Sequence, residues 1–203
     1  MAADDGADAA GGTGAGTGAG AGAGAGAARP AAAAAGGDGP VTDGEWYAGG
    51  LRFACTQCGN CCTGPPGAVW FEPEEGRAMA AALGMSERAF LERFARRIGR
   101  RWSLRELERD GRFDCVLLDR RADGSTGCSV YRARPTQCRT WPFWPDLLES
   151  PDAWDAAREG TPCPGMDRGE LIPVERIRII RDEQSAADVR IARGGRAADD
   201  AAG

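Results

Sequence analysis

The chain has 203 residues and a formal net charge of −5 at pH 7. Much of its acid lies in the two terminal stretches, so the central part is close to neutral, which argues against a general affinity for nucleic acid. The sequence contains no histidine, and this excludes the commonest protein metal ligand and the commonest general base.

Composition divides the chain into three parts. Residues 1–43 are mainly alanine and glycine, and residues 195–203 are similar. We expect both stretches to be disordered because neither has an apolar face to bury. Residues 44–194 then form one domain of ordinary size.

The start of the chain has no leucine-rich export signal, and no stretch has the roughly 20 apolar residues of a membrane span. A cytoplasmic protein with no membrane partner is the expectation. Structural disulfides are rare in the cytoplasm.

Short strands and helices are predicted over the first half of the domain. Residues 50–55 and 67–71 are apolar, β-prone stretches and are expected to be strands. A helix begins at Pro73 and stops at Gly84. A second helix is predicted over 87–99, where apolar residues recur at helical spacing.

A β-hairpin is predicted over residues 113–132, where two β-prone stretches flank an Asp-Gly turn. It places Cys115 and Cys128 on paired strands. Residues 132–145 contain three prolines and three large aromatic residues. They are expected to form a packed, irregular loop that carries Cys138.

Two helices are expected in the last part of the domain, at 150–158 and 173–183, with a turn that contains Cys163 between them. The predicted fold class is α+β. We expect a small, loop-rich, metal-stabilised single domain with a β-hairpin and several short helices.

The metal is inferred from the cysteines, four of which lie in the stretch CTQCGNCC at residues 55–62. The eight cysteines of the chain are Cys55, Cys58, Cys61, Cys62, Cys115, Cys128, Cys138 and Cys163. Buried free thiols would suit an apolar strand but not this polar, glycine-containing stretch. Disulfides between such close neighbours would be strained, and no export signal favours them. We therefore predict that all eight cysteines are metal ligands.

The pattern leaves zinc and iron open. Two tetrahedral zinc sites would use eight cysteines, whereas C-x-x-C-x-x-C with a remote Cys-Pro is similar to the iron–sulfur ligands of bacterial ferredoxins. Neighbouring side chains diverge in strands and helices. Cys61 and Cys62 are therefore expected to serve two sites, or different metals of one cluster.

The cysteines and the segments around them together resemble the YkgJ-type cysteine-cluster family of zinc- or iron-chelating domains. The resemblance rests on the order of all eight cysteines and on five segments: 53–62, 114–119, 127–139, 141–145 and 163–165. It implies metal chelation without a settled reaction. A similar cluster occurs in flagellin lysine N-methylases, which suggests an enzyme only by analogy.

Two arginines, Arg134 and Arg139, bracket Cys138 and are candidate neighbours of the metal ligands. Guanidinium groups there would offset thiolate charge and donate hydrogen bonds to sulfur. The alternative is that they are solvated or pair with ordinary carboxylates.

An arginine-rich run at 93–105 is expected to be a solvated helix face. The alternative is that this run binds phosphate, nucleic acid or an acidic partner. Trp141, Phe143 and Trp144 are expected to cover the metal site and to supply core packing.

No nucleophilic-enzyme motif and no phosphate-binding glycine loop is present. The main prediction is a metal-binding or metal-handling protein with no turnover, which holds zinc or iron. The alternatives are an iron–sulfur redox or methyltransferase-type enzyme, and a structural zinc module that recruits a protein partner.

Overall fold

The computed structural model describes residues 44–200, with side chains to residue 193. Helices and small antiparallel sheets are mixed along this part of the chain, which confirms the predicted α+β class. The tail predicted at 1–43 lies outside the described residues. Among the residues described, no helix combines the length and the apolarity needed to cross a membrane.

Ten short strands form four sheets within the described part of the chain. The strands are β1 (Leu51–Phe53), β2 (Thr63–Gly64), β3 (Trp70–Phe71), β4 (Ala95–Ile98), β5 (Arg101–Leu104), β6 (Glu106–Arg109), β7 (Arg112–Cys115), β8 (Leu118–Arg120), β9 (Thr126–Cys128) and β10 (Met166–Ile172). The sheet orders are β1-β10, β2-β7-β6, β3-β5-β4 and β8-β9, and every pair is antiparallel.

Five α-helices and two 3-10 turns accompany the strands. The helices are α1 (Pro73–Ala82), α2 (Glu87–Phe94), α3 (Thr136–Thr140), α4 (Pro151–Gly160) and α5 (Val174–Asp200). The 3-10 turns are at Asn60–Cys62 and Tyr131–Ala133.

The predicted helix at 73–84 is confirmed, and its start is fixed by its end groups. The Glu72 side chain accepts from the backbone of the first turn, and Glu75 in turn accepts from the Glu72 backbone N–H at 2.9 Å. This reciprocal arrangement satisfies two N–H groups that a helix start leaves without partners.

The predicted helix at 87–99 is wrong in its second half. α2 ends at Phe94, and the chain continues as β4, which pairs with β5. Pairing with a strand farther along the chain overrides the local helical spacing. The arginine-rich run is consequently not a helix face, and Arg96 within it forms an ion pair with Glu106 at 2.6 Å.

The predicted hairpin exists as β8 and β9, in which Leu118 is the register partner of Cys128. Cys115 is not part of it, contrary to the prediction. It ends β7, in a separate hairpin where its partner is Glu106 of β6. The sequence contains two adjacent hairpins where one was expected.

Cys138 was expected in an irregular loop and lies instead in the short helix α3. Pro135 precedes the helix in an extended conformation. Thr140 donates its hydroxyl to the Thr136 carbonyl at 2.8 Å inside the helix. Prolines therefore flank a helical turn here rather than prevent one.

The end of the described chain differs from the prediction in two ways. β10 pairs with β1 where only a turn was expected. The backbone of α5 reaches Asp200, beyond the predicted 173–183 and into the stretch assigned to a tail. Residues 201–203 lie outside the described residues.

Two apolar clusters stabilise the fold, and cysteines pack against both of them. One is centred on α1, α2, β5 and the hairpin strands, and Cys115 and Cys128 pack against it. The other joins β1, α4, β10 and α5, and Cys163 packs against it.

Glu45 attaches the start of the described chain to α5. Its carboxylate accepts from the Arg178 Nε at 2.8 Å, from the Arg181 Nη1 at 2.8 Å and from the Tyr47 hydroxyl at 2.9 Å. These hydrogen bonds, above all that from Arg178, hold the pKa of Glu45 below its usual value.

Glu45→Gln is expected to lower the free energy of unfolding by about 1 kcal/mol at pH 7, a modest loss because the ion pairs are partly exposed. The contribution is fully present above the pKa of about 4.3 that glutamate has in an unfolded chain. It is lost as the pH falls through the lower pKa of the folded state.

Urea unfolding of wild type and variant at pH 7 and at pH 3 tests this prediction. The difference between them should shrink at the lower pH. Glu108→Gln, at an exposed position on β6, is the control and should change stability little. A difference that stays constant with pH would contradict the prediction.

Candidate metal centre

Six cysteines line one narrow cavity of about 40 Å³: Cys55, Cys61, Cys62, Cys115, Cys128 and Cys138. They come from four separated places, namely the segment around the first 3-10 turn, the end of β7, the end of β9 and helix α3. The fold thus gathers sulfur atoms that are distant in sequence onto one surface.

The first 3-10 turn is held against the β8–β9 hairpin. Gly59 precedes it with φ of 75°, and a Cβ there would lie 2.8 Å from Leu118 and 2.9 Å from Thr126. The Thr126 hydroxyl donates to the carbonyl of Cys58 at 2.6 Å. Glycine is required both by the left-handed backbone and by this close approach.

The sulfur atoms of Cys61 and Cys62 lie 3.8 Å apart. This contradicts the divergence expected of neighbouring side chains. These residues end a three-residue 3-10 turn before an extended Thr63, so regular geometry does not separate them. Two sulfurs on one tetrahedral zinc, at about 2.3 Å from the metal, are about 3.8 Å apart, so both thiols are compatible with a single ion.

Cys58 and Cys163 are not among the cysteines that line this cavity. The Asn60 side chain donates to the carbonyl of Pro162 at 2.6 Å and holds the segment of Cys163 against the 3-10 turn. Burial raises the pKa of Cys163, and the charge of Cys58 raises it further. Six cysteines therefore line the cavity, and Cys58 and Cys163 lie outside its lining.

The protein environment alone keeps most of these thiols protonated. Burial raises the pKa of Cys115 to about 11 and also raises the pKa values of Cys138 and Cys128. Within the adjacent pair, the hydrogen bond between the thiols lowers the pKa of Cys61 to about 7 and raises that of Cys62. A metal bound as thiolate would displace protons from the buried cysteines.

The donor set suits a metal that prefers sulfur, because it offers thiols and no imidazole. Among the side chains of residues 44–193, no group of three or more cysteine, aspartate or glutamate residues is already placed as it would be around a metal ion. The sulfurs share a cavity but would have to draw together to coordinate one.

The two arginine candidates lie in different environments. Arg134 lines the cavity, and its charge favours the thiolate forms of Cys61, Cys128 and Cys138. Its guanidinium lies 3.9 Å from the Tyr131 ring centroid. Arg134 is therefore the arginine placed to offset thiolate charge.

Arg139 follows Cys138 in sequence but is directed away from the cavity. Its guanidinium donates to the Glu183 carboxylate at 3.0 Å and to the Arg134 carbonyl at 2.7 Å. It attaches α3 to α5, which corresponds to the ordinary carboxylate pairing weighed as its alternative.

Arg134→Gln is expected to weaken metal affinity by about tenfold or more, the usual cost of losing a group that supports the ligands. Competition with a chromogenic chelator at fixed pH measures this change. Arg139→Gln removes the same charge five residues later and should leave affinity within about twofold of wild type. Equal losses in the two variants would contradict the assignment.

Tyr131 is a cavity residue that the sequence gives no reason to select. It lines the same space as the six cysteines, and its interaction with the neighbouring Cys55 thiol raises the pKa of Tyr131. The pattern C-S-V-Y-R contains no signal that distinguishes it from an ordinary core tyrosine.

A second, larger cavity of about 280 Å³ adjoins the cysteines. Trp141 and Trp144, with ring centroids 5.0 Å apart, line it together with four sulfur-bearing residues: Cys61, Cys62, Cys115 and Cys138. The indole N–H of Trp141 is buried and has no hydrogen-bond partner in the described part of the chain. Phe143 instead packs in the core against Trp154.

Comparison with known proteins identifies the same region. The family model described as "CxxCxxCC: Putative zinc- or iron-chelating domain" matches residues 54–164, which is more than half of the chain. The match includes all eight cysteines and confirms the resemblance found from the sequence. No solved structure matches the chain.

Proposed function

Since the chain belongs to the CxxCxxCC family of zinc- or iron-chelating domains, we propose that it binds metal through the sulfurs that line its cysteine cavity. The observation that carries the proposal is the convergence of six cysteines from four separated segments on one space of about 40 Å³. Thiolate sulfur in such numbers is the donor set of zinc and of iron–sulfur centres.

Six sulfurs exceed the four that one tetrahedral ion takes. We therefore propose that the cavity holds more than one metal, with Cys61 and Cys62 as neighbouring ligands. Cys58 and Cys163, which lie outside the cavity lining, would be the remaining two metal ligands. Apolar residues of the cavity wall, Leu104, Leu117 and Val130, would keep water away from the sulfurs.

A reducing location fits this chemistry. All eight cysteines are free thiols in the structure, and a thiol must be neither oxidised nor paired to bind metal. We propose that the protein works in the cytoplasm as a metal-binding protein.

Anaerobic purification followed by metal analysis and a visible absorption spectrum tests the proposal. We expect more than one zinc or iron per chain and slow alkylation of the eight thiols until a chelator is added. Iron with acid-labile sulfide would identify an iron–sulfur centre, and zinc without colour would identify zinc sites. Failure to bind either metal, with eight freely reactive thiols, would overturn the proposal.

A second candidate function, an enzyme, is favoured by the 280 Å³ cavity beside the sulfurs. A small molecule there would contact the metal ligands and the indole rings of Trp141 and Trp144. Imidazole is a suitable probe because its unprotonated nitrogen is a ligand for zinc and iron. In calorimetric titration of the metal-loaded chain, saturable imidazole binding that Trp144→Ala weakens would support a substrate cavity, and no binding would favour metal binding without turnover.

A further inference from the structure

A further cavity, separate from the two that cysteines line, is surrounded by arginine. It has a volume of about 160 Å³, and four of the residues that line it are basic: Arg97, Arg100, Arg101 and Arg190. Its floor is aromatic, formed by Phe71 and Trp102. In a chain with a net charge of −5, this is a local reversal of charge.

The tight turn between β4 and β5 brings three of these arginines together. Arg97 is the register partner of Trp102, and only Gly99 and Arg100 connect the paired strands. Gly99 has φ of 60°, a left-handed conformation that favours glycine in a two-residue turn. The fourth arginine comes from α5.

Two of the arginines are held by stacking on aromatic rings. The guanidinium carbon of Arg97 lies 4.6 Å from the Trp102 ring centroid, and that of Arg101 lies 3.9 Å from the Trp70 ring centroid. A guanidinium stacked by its face keeps its in-plane N–H groups for an acceptor.

Few of these N–H groups are used by the protein. Arg97 donates from Nη1 to the carbonyl of Arg100 at 2.7 Å. Arg101 makes no hydrogen bond to a protein acceptor among residues 44–193. Stacked, fixed guanidinium groups with open edges are the donors that recognise phosphate in a bidentate manner.

The one acidic residue of the cavity wall, Glu72, is already engaged. Both of its carboxylate oxygens lie 3.0 Å from the Nε of Arg190, and the same side chain caps α1. Its charge is therefore largely offset by Arg190, and Arg97 and Arg101 leave the cavity positively charged.

We propose that this cavity binds the phosphate group of a small anionic ligand, with Arg97 and Arg101 as its principal donors. The site uses none of the cysteines and goes beyond metal binding. The volume of the cavity suits one phosphate or pyrophosphate group.

A nucleic-acid strand fits this cavity less well. Single-stranded nucleic acid is held by stacking of its bases on exposed aromatic rings. Arginine already covers a face of Trp70 and of Trp102, and the net negative charge of the chain opposes a long polyanion.

Calorimetric titration of the full, metal-loaded chain with inorganic phosphate and with pyrophosphate tests the proposal. We expect saturable binding of one ligand per chain. Arg97→Gln and Arg101→Gln should each weaken it by about tenfold or more, since each removes charge-assisted hydrogen bonds. The matched control is Arg88→Gln on α2, where the arginine pairs with Glu92 on an exposed surface.

A variant with the opposite expected effect makes the test independent of any damage to the fold. Glu72→Gln removes the carboxylate of the cavity and frees Arg190, while its amide oxygen still accepts at the start of α1. It should tighten pyrophosphate binding several-fold. Glu74→Gln removes a charge from the same helical turn but outside the cavity and should change affinity much less.

Three results would overturn the proposal. They are the absence of saturable binding to the wild-type chain, an equal loss in Arg88→Gln, and tighter binding of a single-stranded oligonucleotide than of pyrophosphate. If the arginine variants unfold, the wild-type chain still decides, because phosphate should shift the NMR indole signals of Trp70 and Trp102. Unchanged indole signals at millimolar phosphate would also overturn it.

Discussion

Removal of the metal is expected to unfold much of the domain around the cysteine cavity. The cavity wall is assembled from the first 3-10 turn, the ends of β7 and β9, and α3. Without metal, the contacts that remain between these segments include the pairing of β2 with β7 and the hydrogen bond from Thr126 to Cys58. Structural zinc sites contribute about 10–16 kcal/mol in small peptides, comparable to the whole net stability of a domain.

Hydrogen exchange before and after chelation under reducing conditions measures this effect. We expect the amides of β7, β9 and α3 to lose protection, and the loss to be reversed by adding metal back. The helices of the second apolar cluster, α4 and α5, are the internal reference and should lose less. A metal-free protein with unchanged protection and an unchanged unfolding midpoint would contradict the prediction.

Cys138→Ser is expected to abolish metal retention at the cavity. Cys138 is a half-buried ligand candidate that lines both cavities, and a serine hydroxyl is a poor replacement for thiolate toward zinc or iron. Cys163→Ser should retain the metal of the cavity, since Cys163 lies beside it. Metal per chain after gel filtration separates the two outcomes.

The cost of burying a hydroxyl needs its own control. Cys138→Ala removes the sulfur without adding a buried polar group, so both variants should lose metal equally if coordination is what matters. Full metal retention in Cys138→Ala would show that this cysteine is a packing residue. Equal loss in Cys163→Ser would show that the division into six and two is wrong.

The sequence predicted those helices and hairpins whose ends are marked by residues close together in the chain. The start of α1 is fixed by a proline and a capping glutamate within four residues, and the β8–β9 hairpin surrounds an Asp-Gly turn. β4 could not be predicted in this way, because Ile98 continues the helical spacing of α2. Only its register partner Arg101 makes it a strand.

The sequence indicated which side chains to consider for the site but not how they are arranged. Cysteine spacing selected six side chains that the fold brings to one cavity, whereas neither the closeness of Cys61 and Cys62 nor the direction of Arg139 follows from sequence order. Both depend on short turns of helix, and these decide which of two adjacent side chains faces the cavity. The charge of Arg134, four residues before Cys138, lowers the pKa of thiols in the cavity. Arg139 directly follows Cys138 in sequence but is directed away from the cavity.

The pairing of β1 with β10 has a consequence for the whole cysteine-bearing segment. Arg52 donates to the carbonyl of Gly169, which lies 117 residues later, and every cysteine is positioned between these strands. Closing a segment of this length costs loop-closure entropy. The pairing of β1 with β10 therefore joins the two ends of a segment that contains all eight cysteines, and a substitution that weakens this pairing is expected to loosen both ends of the cysteine-bearing segment at once.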